Sequence, residues 1–340
     1  MRYIDAFNHF FPKKIWSMLL ELEGTKGHDI GKRMRGIPCI YDLDERFRVM
    51  DKFSKYDYSQ VLSLGMPPLE KLGQNSIALA QAGNDGMAEL VRDYPERFTG
   101  FVASLPMGLP DAAVREAERC FTQLGCNGLQ IHSNVNGAPL DEERFFPIFE
   151  TAAKHNKPIL LHPARGANMP DYLTETKSKY EVWWTFGWPY ETSTAMARMV
   201  FSGMFDKIPN LKVLAHHLGA MVPYFEGRVG PGWDQLGART SDEDLGAVLR
   251  SLKKRPLDYF KDFYADSAVF GSRAATICGL DFYGPDKVLF ASDSPFDPEK
   301  GPGYIRDTIS ILESLDLTDV NRHKICHGNA EALFNIAPKA

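Results

Sequence analysis

The sequence predicts a closed barrel of eight parallel strands surrounded by helices, and three observations lead to this fold. Short apolar runs of strand type alternate with amphipathic helical patterns along all 340 residues. Strands that alternate with helices are usually parallel and buried on both faces, as such apolar runs require. Eight such units in a chain of this length fit a (β/α)8 barrel. An open doubly wound sheet is the alternative, but no GxGxxG motif follows the first strand and no GxxxxGK[ST] motif is present.

The elements are predicted in chain order from their apolar periodicity. The strands are expected at 3–7, 60–64, 100–105, 128–132, 158–162, 212–216, 263–266 and 288–291. Between strands, apolar residues recur at helical spacing, as Phe145, Ile148, Phe149 and Ala152 do. Three connections are too long for ordinary barrel loops, and they lie near 13–50, 163–190 and 229–245. We expect one domain over 1–340, with these connections as lids over the active face.

Composition excludes several classes of protein. Lys and Arg total 39 against 44 Asp and Glu, so the formal net charge is −5, and 44% of residues are hydrophobic. We therefore expect no nucleic-acid partner, which would need a basic face, and no general disorder. No apolar run is long enough for a membrane span, and the first residues lack a signal-peptide pattern. Five scattered cysteines without a CxxC pair indicate reduced thiols and a cytoplasmic protein.

Residues with metal-binding and proton-transfer chemistry stand where the predicted strands end. His9 follows the first strand, and His162 ends the fifth. The pair His216 and His217 ends the sixth strand, and Asp293 follows the eighth. Because the carboxyl ends of barrel strands meet at one mouth, these side chains are expected to converge. Imidazoles with a carboxylate predict a site for one divalent metal, where imidazole favours Zn and the carboxylate also admits Mn. No flavin, nicotinamide or phosphate signature is visible, so we expect no organic cofactor.

Six segments of the chain carry a resemblance to a known family, and they are IDAFNHFFP at 4–12, RFRVMDKF at 46–53, PILLHPA at 158–164, WPYETS at 188–193, IPNLKVLAHHLGAMVPYFEGR at 208–228 and LFASDSPFD at 289–297. They resemble the amidohydrolase family of metal-dependent barrels, within the branch that contains aminocarboxymuconate-semialdehyde decarboxylase and the resorcylate-type decarboxylases. The resemblance covers nearly the whole chain and is most specific around the sixth and eighth strands. The resemblance implies a metal-dependent enzyme that acts on a small-molecule carboxylate.

The resemblance also implies roles for single residues. His9, His162 and Asp293 correspond to metal ligands, and Asp293 also to a base. The family's proton-handling histidine lies six residues before a proline. Counting back six residues from Pro223 gives His217, which therefore corresponds to that histidine. Phe7 stands where the family pattern His-x-His has its first histidine, so one expected ligand is absent. Either the metal is held by His9, His162 and Asp293, with His217 or water completing the shell, or the site works without metal.

Candidate substrate-binding residues lie mainly in the long connections. Arg165 follows His162 closely, and Arg46 lies in the first connection. A guanidinium can hold a carboxylate through two hydrogen bonds. Trp188 belongs to an aromatic stretch that either lines the pocket for a planar substrate or forms a core or homodimer contact. Phe7 is expected either at the apolar floor of the pocket or in the barrel core.

Two reaction classes and one binding role remain open. Non-oxidative decarboxylation of a small aromatic or unsaturated acid would use Asp293 or His217 to protonate carbon. Metal-assisted hydrolysis of a C–C bond, a lactone or a β-ketoacyl thioester would use Asp293 to move the proton. Family resemblance favours decarboxylation. A ligand-binding barrel without catalysis is the third alternative, and the joint presence of His162, His217 and Asp293 argues against it.

Overall fold

Eight parallel strands form the centre of the molecule, as the computed structural model, which describes residues 1–26 and 31–338, shows. Each strand pairs with the next in chain order, and all eight predicted strands are present with slightly different bounds. They are β1 (Arg2–His9), β2 (Asp57–Ser63), β3 (Phe98–Ser104), β4 (Gly128–His132), β5 (Ile159–His162), β6 (Val213–Ala215), β7 (Tyr264–Asp266) and β8 (Val288–Leu289).

The barrel closes between β1 and the residues that follow β8. The backbone N–H of Ala6 donates to the carbonyl of Phe290 at 2.9 Å, and the N–H of Asp293 donates to that of Phe7 at 3.0 Å. Because these bonds join the first and last strand regions, the sheet has no open edge there. The predicted (β/α)8 barrel is confirmed, and the open doubly wound alternative is wrong.

Helices surround the strands. They are α1 (Lys13–Lys26), α2 (Gly31–Arg35), α3 (Leu43–Asp51), α4 (Asn75–Asp93), α5 (Pro110–Thr122), α6 (Phe146–Lys154), α7 (Val182–Thr185), α8 (Gly187–Phe201), α9 (Met204–Lys207), α10 (His216–Gly219), α11 (Leu245–Ser251), α12 (Pro256–Asp262), α13 (Arg273–Tyr283), α14 (Pro302–Ser314), α15 (Asp319–His323) and α16 (Asn329–Phe334). A short hairpin pairs Asn134–Val135 with Ala138–Pro139. None of the helices in the described part of the chain combines the length and the apolar character that crossing a bilayer requires.

Two apolar layers hold the barrel together. The larger layer lies between the strands and the surrounding helices. The smaller one fills the barrel interior with side chains such as Ile4, Val61 and Leu160. Leu333 and Phe334 of α16 belong to this interior cluster, so the C-terminal helix covers the end of the barrel where the strands begin. The opposite end, where the strands finish, is the end that carries the polar residues.

The first and second long connections carry helices of their own. The first contains α1, α2 and α3, and Asp42, the residue before α3, accepts hydrogen bonds with its carboxylate from the backbone N–H groups of Asp44 and Glu45. Such a side-chain cap satisfies amide groups that have no partner within the helix. The second contains α7, and the third contains a π-helical turn, Arg228–Gly232, followed by a 3-10 turn, Trp233–Gln235. Segment 27–30 of the first connection lies outside the described residues.

Candidate metal centre

Four buried side chains meet at the carboxyl ends of β1, β5, β6 and β8. The candidate nitrogen ligands of His9, His162 and His216 lie within 4.8 Å of one another. Oδ1 of Asp293 lies 3.0 Å from Nε2 of His9 and 3.4 Å from Nε2 of His216. Strand ends separated by up to 284 positions in the sequence thus supply one compact cluster.

Hydrogen bonds from the protein orient two of these rings toward the cluster. Nδ1 of His9 lies 2.9 Å from the carbonyl oxygen of Leu64, and Nδ1 of His162 lies 2.7 Å from that of Pro163. A carbonyl only accepts, so each Nδ1 carries the hydrogen, and each Nε2 presents a lone pair when the ring is neutral. The same use of the second ring nitrogen fixes histidines at many metal sites.

His216 is held by a carboxylate instead. Its Nδ1 donates to Asp266, which ends β7, and its Nε2 has no hydrogen-bond partner among the described residues. Burial alone would lower the pKa of His216, but the charges of Asp266 and Asp293 outweigh it and raise that pKa to about 9. His216 therefore differs from His162, whose pKa burial holds well below its ordinary value.

The donor set fits a divalent metal ion. Nε2 of His9 and Oδ1 of Asp293 are both acceptors, yet they face each other at 3.0 Å, an arrangement that needs a cation or a proton close by. Burial alone would raise the pKa of Asp293, but the neighbouring His216 and His9 hold it well below its usual range. A carboxylate beside imidazole nitrogens is the ligand chemistry of catalytic Zn and Mn sites.

Backbone strain marks the two turns that present these groups. Asp293 has φ +60°. His217 and Leu218 inside α10, and Ala220 after it, have φ between +52° and +57°, so α10 is a kinked turn and not a regular helix. Residues with a Cβ rarely adopt this left-handed region, and such conformations concentrate at functional sites. The turn after β6 places His217 beside His216, with ring centroids 3.8 Å apart, and Nδ1–H of His217 donates to the carbonyl of Ala268 at 2.7 Å.

Phe7 lies directly against the histidine cluster. Its ring centroid is 3.8 Å from that of His216, 5.0 Å from that of His9 and 5.8 Å from that of His162, and the side chain is fully buried. It also belongs to the interior apolar cluster of the barrel. Phe7 was expected either at the floor of the pocket or in the barrel core. Its ring lies in both places, because it packs into the barrel interior and also contacts the histidine cluster.

Arg46 differs from its expected role as a substrate-binding residue. The side chain is completely buried. Its guanidinium donates to the side-chain oxygens of Gln60 and Asn8 and to the carbonyl of His9. A guanidinium bonded on several sides by the protein cannot also hold a substrate carboxylate, so Arg46 joins α3 to β1 and β2 instead.

Arg165 and Trp188 lie close to the cluster, and each has a protein partner. Nη1 of Arg165 forms an ion pair with Glu191 at 2.9 Å. Nε1–H of Trp188 donates to the carbonyl of Arg165 at 3.1 Å, and the indole ring lies 5.5 Å from the ring of His162. Trp188 is therefore placed to line the mouth, whereas the charge of Arg165 is already paired.

An aromatic wall continues from Trp188 around the mouth. Trp184 lies 6.5 Å from Trp188 and 6.4 Å from Phe270, and Phe270 lies 4.9 Å from His217. On the other side, Phe296 lies 5.4 Å from the ring of His9. We call Trp184, Trp188, Phe270 and Phe296 the aromatic wall.

Sequence reasoning missed several residues of this site. Arg33 of α2 lies 5.2 Å above the ring of Phe296 and 5.8 Å above that of Trp184. Asp266 carried a usable signal, because it is a carboxylate at the end of a predicted strand. Phe296 lies inside a segment that resembles the family, but Arg33 and Phe270 had no local signal that pointed to the mouth.

The chain is similar to known proteins over most of its length. The amidohydrolase family model matches residues 4–336. The 2-amino-3-carboxymuconate-6-semialdehyde decarboxylase of Dictyostelium discoideum is 32% identical, over 98% of this chain and 92% of its own. The gamma-resorcylate decarboxylase of a Polaromonas species is 30% identical, over 86% of this chain and 87% of its own. A solved dihydroxybenzoic acid decarboxylase from Polaromonas, with bound manganese and the inhibitor 2-nitroresorcinol, is 25% identical, covers 99% of this chain and 98% of its own, and superimposes with a TM-score of 0.76.

Proposed function

Because the chain belongs to the amidohydrolase family, we propose that it is a metal-dependent enzyme that removes carbon dioxide non-oxidatively from a small aromatic carboxylic acid. The observation that carries this proposal is the convergence of His9, His162, His216 and Asp293 on one point at the barrel mouth. The names of the two similar curated proteins, both decarboxylases, support the reaction.

His9, His162 and Asp293 are proposed to hold the metal, through two Nε2 atoms and a carboxylate oxygen. The imidazoles suit Zn, while the carboxylate and the manganese found in a similar structure also support Mn. When bound, the ion would supply a Lewis acid for an oxygen of the substrate. The protein supplies the fixed orientation of both rings, because Nδ1 of each is bonded to a carbonyl.

Decarboxylation also needs one proton, because the bond to the carboxylate breaks, carbon dioxide leaves and the ring carbon gains a hydrogen. We propose Nε2 of His216 as its donor, with Asp266 holding the ring in place. The sequence suggested His217 for this role. Burial and the neighbouring His216 lower the pKa of His217 to about 4, so His217 is neutral near pH 7 and a poor proton donor. Asp293, whose Oδ1 lies 3.4 Å from Nε2 of His216, remains the second candidate for handling this proton.

The aromatic wall and Arg33 are proposed to select the substrate. A planar ring can pack against Trp188 and Phe270, which favours aromatic acids over aliphatic ones. Arg33 lies at the rim, exposed, with its guanidinium over two aromatic rings. It therefore replaces Arg46 as the candidate that binds an anionic group of the substrate.

We also propose that the chain forms a homodimer through the second long connection. Tyr172, Leu173 and Tyr180 of this connection are 74%, 104% and 94% exposed. Exposed apolar side chains that cluster in one segment are typical of a protein–protein contact. Light scattering coupled to size-exclusion chromatography checks this, and a monomer at micromolar concentration contradicts it.

One experiment tests the function. Protein purified without added metal is analysed for bound metal and then assayed for carbon dioxide release from hydroxybenzoic acids. We expect release that a chelator abolishes and that Mn or Zn restores. His162→Ala should lose both metal and turnover, whereas His155→Ala, whose ring pairs with Glu118 on the outer helices, should keep both. Metal-loaded protein that releases no carbon dioxide from any of these acids, but hydrolyses a lactone or thioester, would move the assignment to hydrolysis.

A further inference from the structure

A small cavity beside the metal centre collects unsatisfied polar atoms. Its space for the centre of a water molecule is about 10 Å³, and Glu70, Ser104, Gln130 and His132 line it. Each of these four side chains has a buried polar atom without a hydrogen-bond partner among the described residues: Oε1 of Glu70, Oγ of Ser104, Oε1 of Gln130 and Nε2 of His132. Buried polar atoms without partners cost free energy, and a cavity of this size can hold one water that satisfies several of them.

The cavity lies directly behind the metal ligands. His132 ends β4, and its ring centroid is 5.2 Å from that of His162. Nε2–H of Gln130 donates to the carbonyl of Leu64 at 3.1 Å, and the same carbonyl accepts from Nδ1–H of His9. The Gln130 amide is thereby fixed, and its unpaired oxygen is the atom left for the cavity.

Glu70 and His132 are separated by the distance that a shared water requires. Nδ1 of His132 lies 4.0 Å from Oε1 of Glu70. A direct hydrogen bond would bring the two atoms to about 2.7–3.2 Å, whereas one water can bond to both groups across this gap. A water that donates to the Glu70 carboxylate can accept from Nδ1–H of His132. This leaves Nε2 of His132 as the acceptor nitrogen of the ring.

We propose that this cavity binds one water molecule, and that the water and Glu70 hold His132 so that its Nε2 accepts a hydrogen bond from a hydroxyl group of the substrate. Glu70 is then a positioning residue, and His132 distinguishes hydroxylated aromatic acids from acids without the hydroxyl. The substrate contact rests on the proposed decarboxylase function. The water site does not, because it follows from the unpaired oxygens of Glu70, Ser104 and Gln130 and from the 4.0 Å gap between Glu70 and Nδ1 of His132.

The water site is tested by a crystal structure of the metal-loaded enzyme. We expect density for one water within hydrogen-bond distance of Oε1 of Glu70 and Nδ1 of His132. An empty cavity, or a direct hydrogen bond between Glu70 and His132, overturns this half of the inference. This result does not depend on any activity of the enzyme.

The substrate contact is tested by comparing two ligands that differ only in hydroxyl groups. Calorimetry on metal-loaded protein measures the preference for 2-nitroresorcinol over nitrobenzene. We expect His132→Phe, which keeps an aromatic ring against His162, to reduce this preference about tenfold. Glu70→Gln should reduce it by a smaller factor, because the ring remains but its water-mediated partner changes.

Controls separate this contact from a general loss of structure. Glu116→Gln alters another buried glutamate, paired with Arg119 on α5, and should lower stability without changing the ligand preference. Metal content shows that the cluster is intact in each variant, and His132→Gln replaces His132→Phe if the latter does not fold. An unchanged preference in the folded His132 variants overturns the contact. Failure of the wild-type protein to bind either ligand overturns the proposed function together with the contact, while the crystal structure still decides the water site.

Discussion

His216 and His217 are neighbours in sequence but have different partners. Nδ1 of His216 is bonded to a carboxylate, Asp266, while Nδ1 of His217 is bonded to a backbone carbonyl. A carboxylate stabilises the protonated ring, and a carbonyl does so much less. The two adjacent histidines therefore have different proposed roles in proton transfer because each is bonded to a different group across the barrel.

This difference predicts unequal effects of two matched substitutions. His216→Asn should lower kcat by about 10²-fold or more, because it removes the proposed proton donor while His9, His162 and Asp293 still hold metal. His217→Asn should lower kcat less than tenfold. Steady-state kinetics with metal analysis checks both variants. If His217→Asn has the larger effect, the proton-handling role returns to His217.

Phe7 offers a second test at the scale of one residue. In Phe7→His the new imidazole would replace a ring that already touches His216, so we expect slower loss of metal during dialysis against a chelator. Phe10→His is the control, because Phe10 is equally buried but packs beside Arg46 rather than the cluster. It should lower stability by about 1–3 kcal/mol without changing metal retention. Equal metal retention in wild type and Phe7→His would show that position 7 acts only as core.

Glu70 predicts a pH dependence of stability. Burial raises the pKa of Glu70 to about 7, above its ordinary value of 4.5. The folded state therefore binds this proton more tightly than the unfolded state. Protonated Glu70 therefore contributes to the stability of the folded state. This contribution is fully present below pH 4.5, is lost as the pH rises through 7 and amounts to about 3 kcal/mol at most. Glu70→Gln should flatten the melting-temperature profile between pH 5 and 7.5. A profile identical to wild type would contradict the raised pKa.

At the scale of elements, the buried guanidinium of Arg46 joins α3 to the barrel. Arg46 reaches from α3 to Asn8 and His9 of β1 and to Gln60 of β2. From the sequence, Arg46 was expected only to lie in the first long connection. The direction in which Arg46 points was not visible, because a long side chain can extend either to solvent or inward.

Arg46→Leu separates a structural role from substrate binding. The variant leaves buried acceptors of Asn8 and Gln60 without a donor, so we expect about 3 kcal/mol lower unfolding free energy. KM of the folded enzyme should stay within about twofold of wild type. Arg48→Leu on the same helix is the control, because its 67% exposed side chain should change stability by about 0.5 kcal/mol or less. A stable Arg46→Leu protein with a strongly raised KM would restore the substrate-binding role.

At the scale of the whole molecule, one end of the barrel carries the candidate site and the other end contributes to stability. The strand C-termini carry the cluster, the aromatic wall and the cavity behind His132. The other end is covered by α16, whose Leu333 and Phe334 pack into the barrel interior. Residues that reach this end contribute to stability and lie away from the chemistry.

Phe334→Ala should therefore destabilise the protein without altering the site. Removing this fully buried ring leaves a cavity and should cost about 3–5 kcal/mol of unfolding free energy. Metal content and KM of the folded fraction should match wild type. Tyr224→Ala, which removes an aromatic ring that is 80% exposed, is the control and should have little effect on denaturant unfolding. Loss of metal from folded Phe334→Ala protein would show that the two ends are coupled.

The sequence by itself determined the eight strands, their order and the candidate ligands His9, His162 and Asp293. These follow from local patterns, because an apolar run defines a strand and barrel strands present their C-terminal residues at one end. Only the tertiary structure decided that His216 meets Asp266, that Arg46 points inward and that Arg33 reaches the mouth. Those facts depend on distances between segments far apart in sequence and on side-chain direction, and neither leaves a periodic signal in the chain.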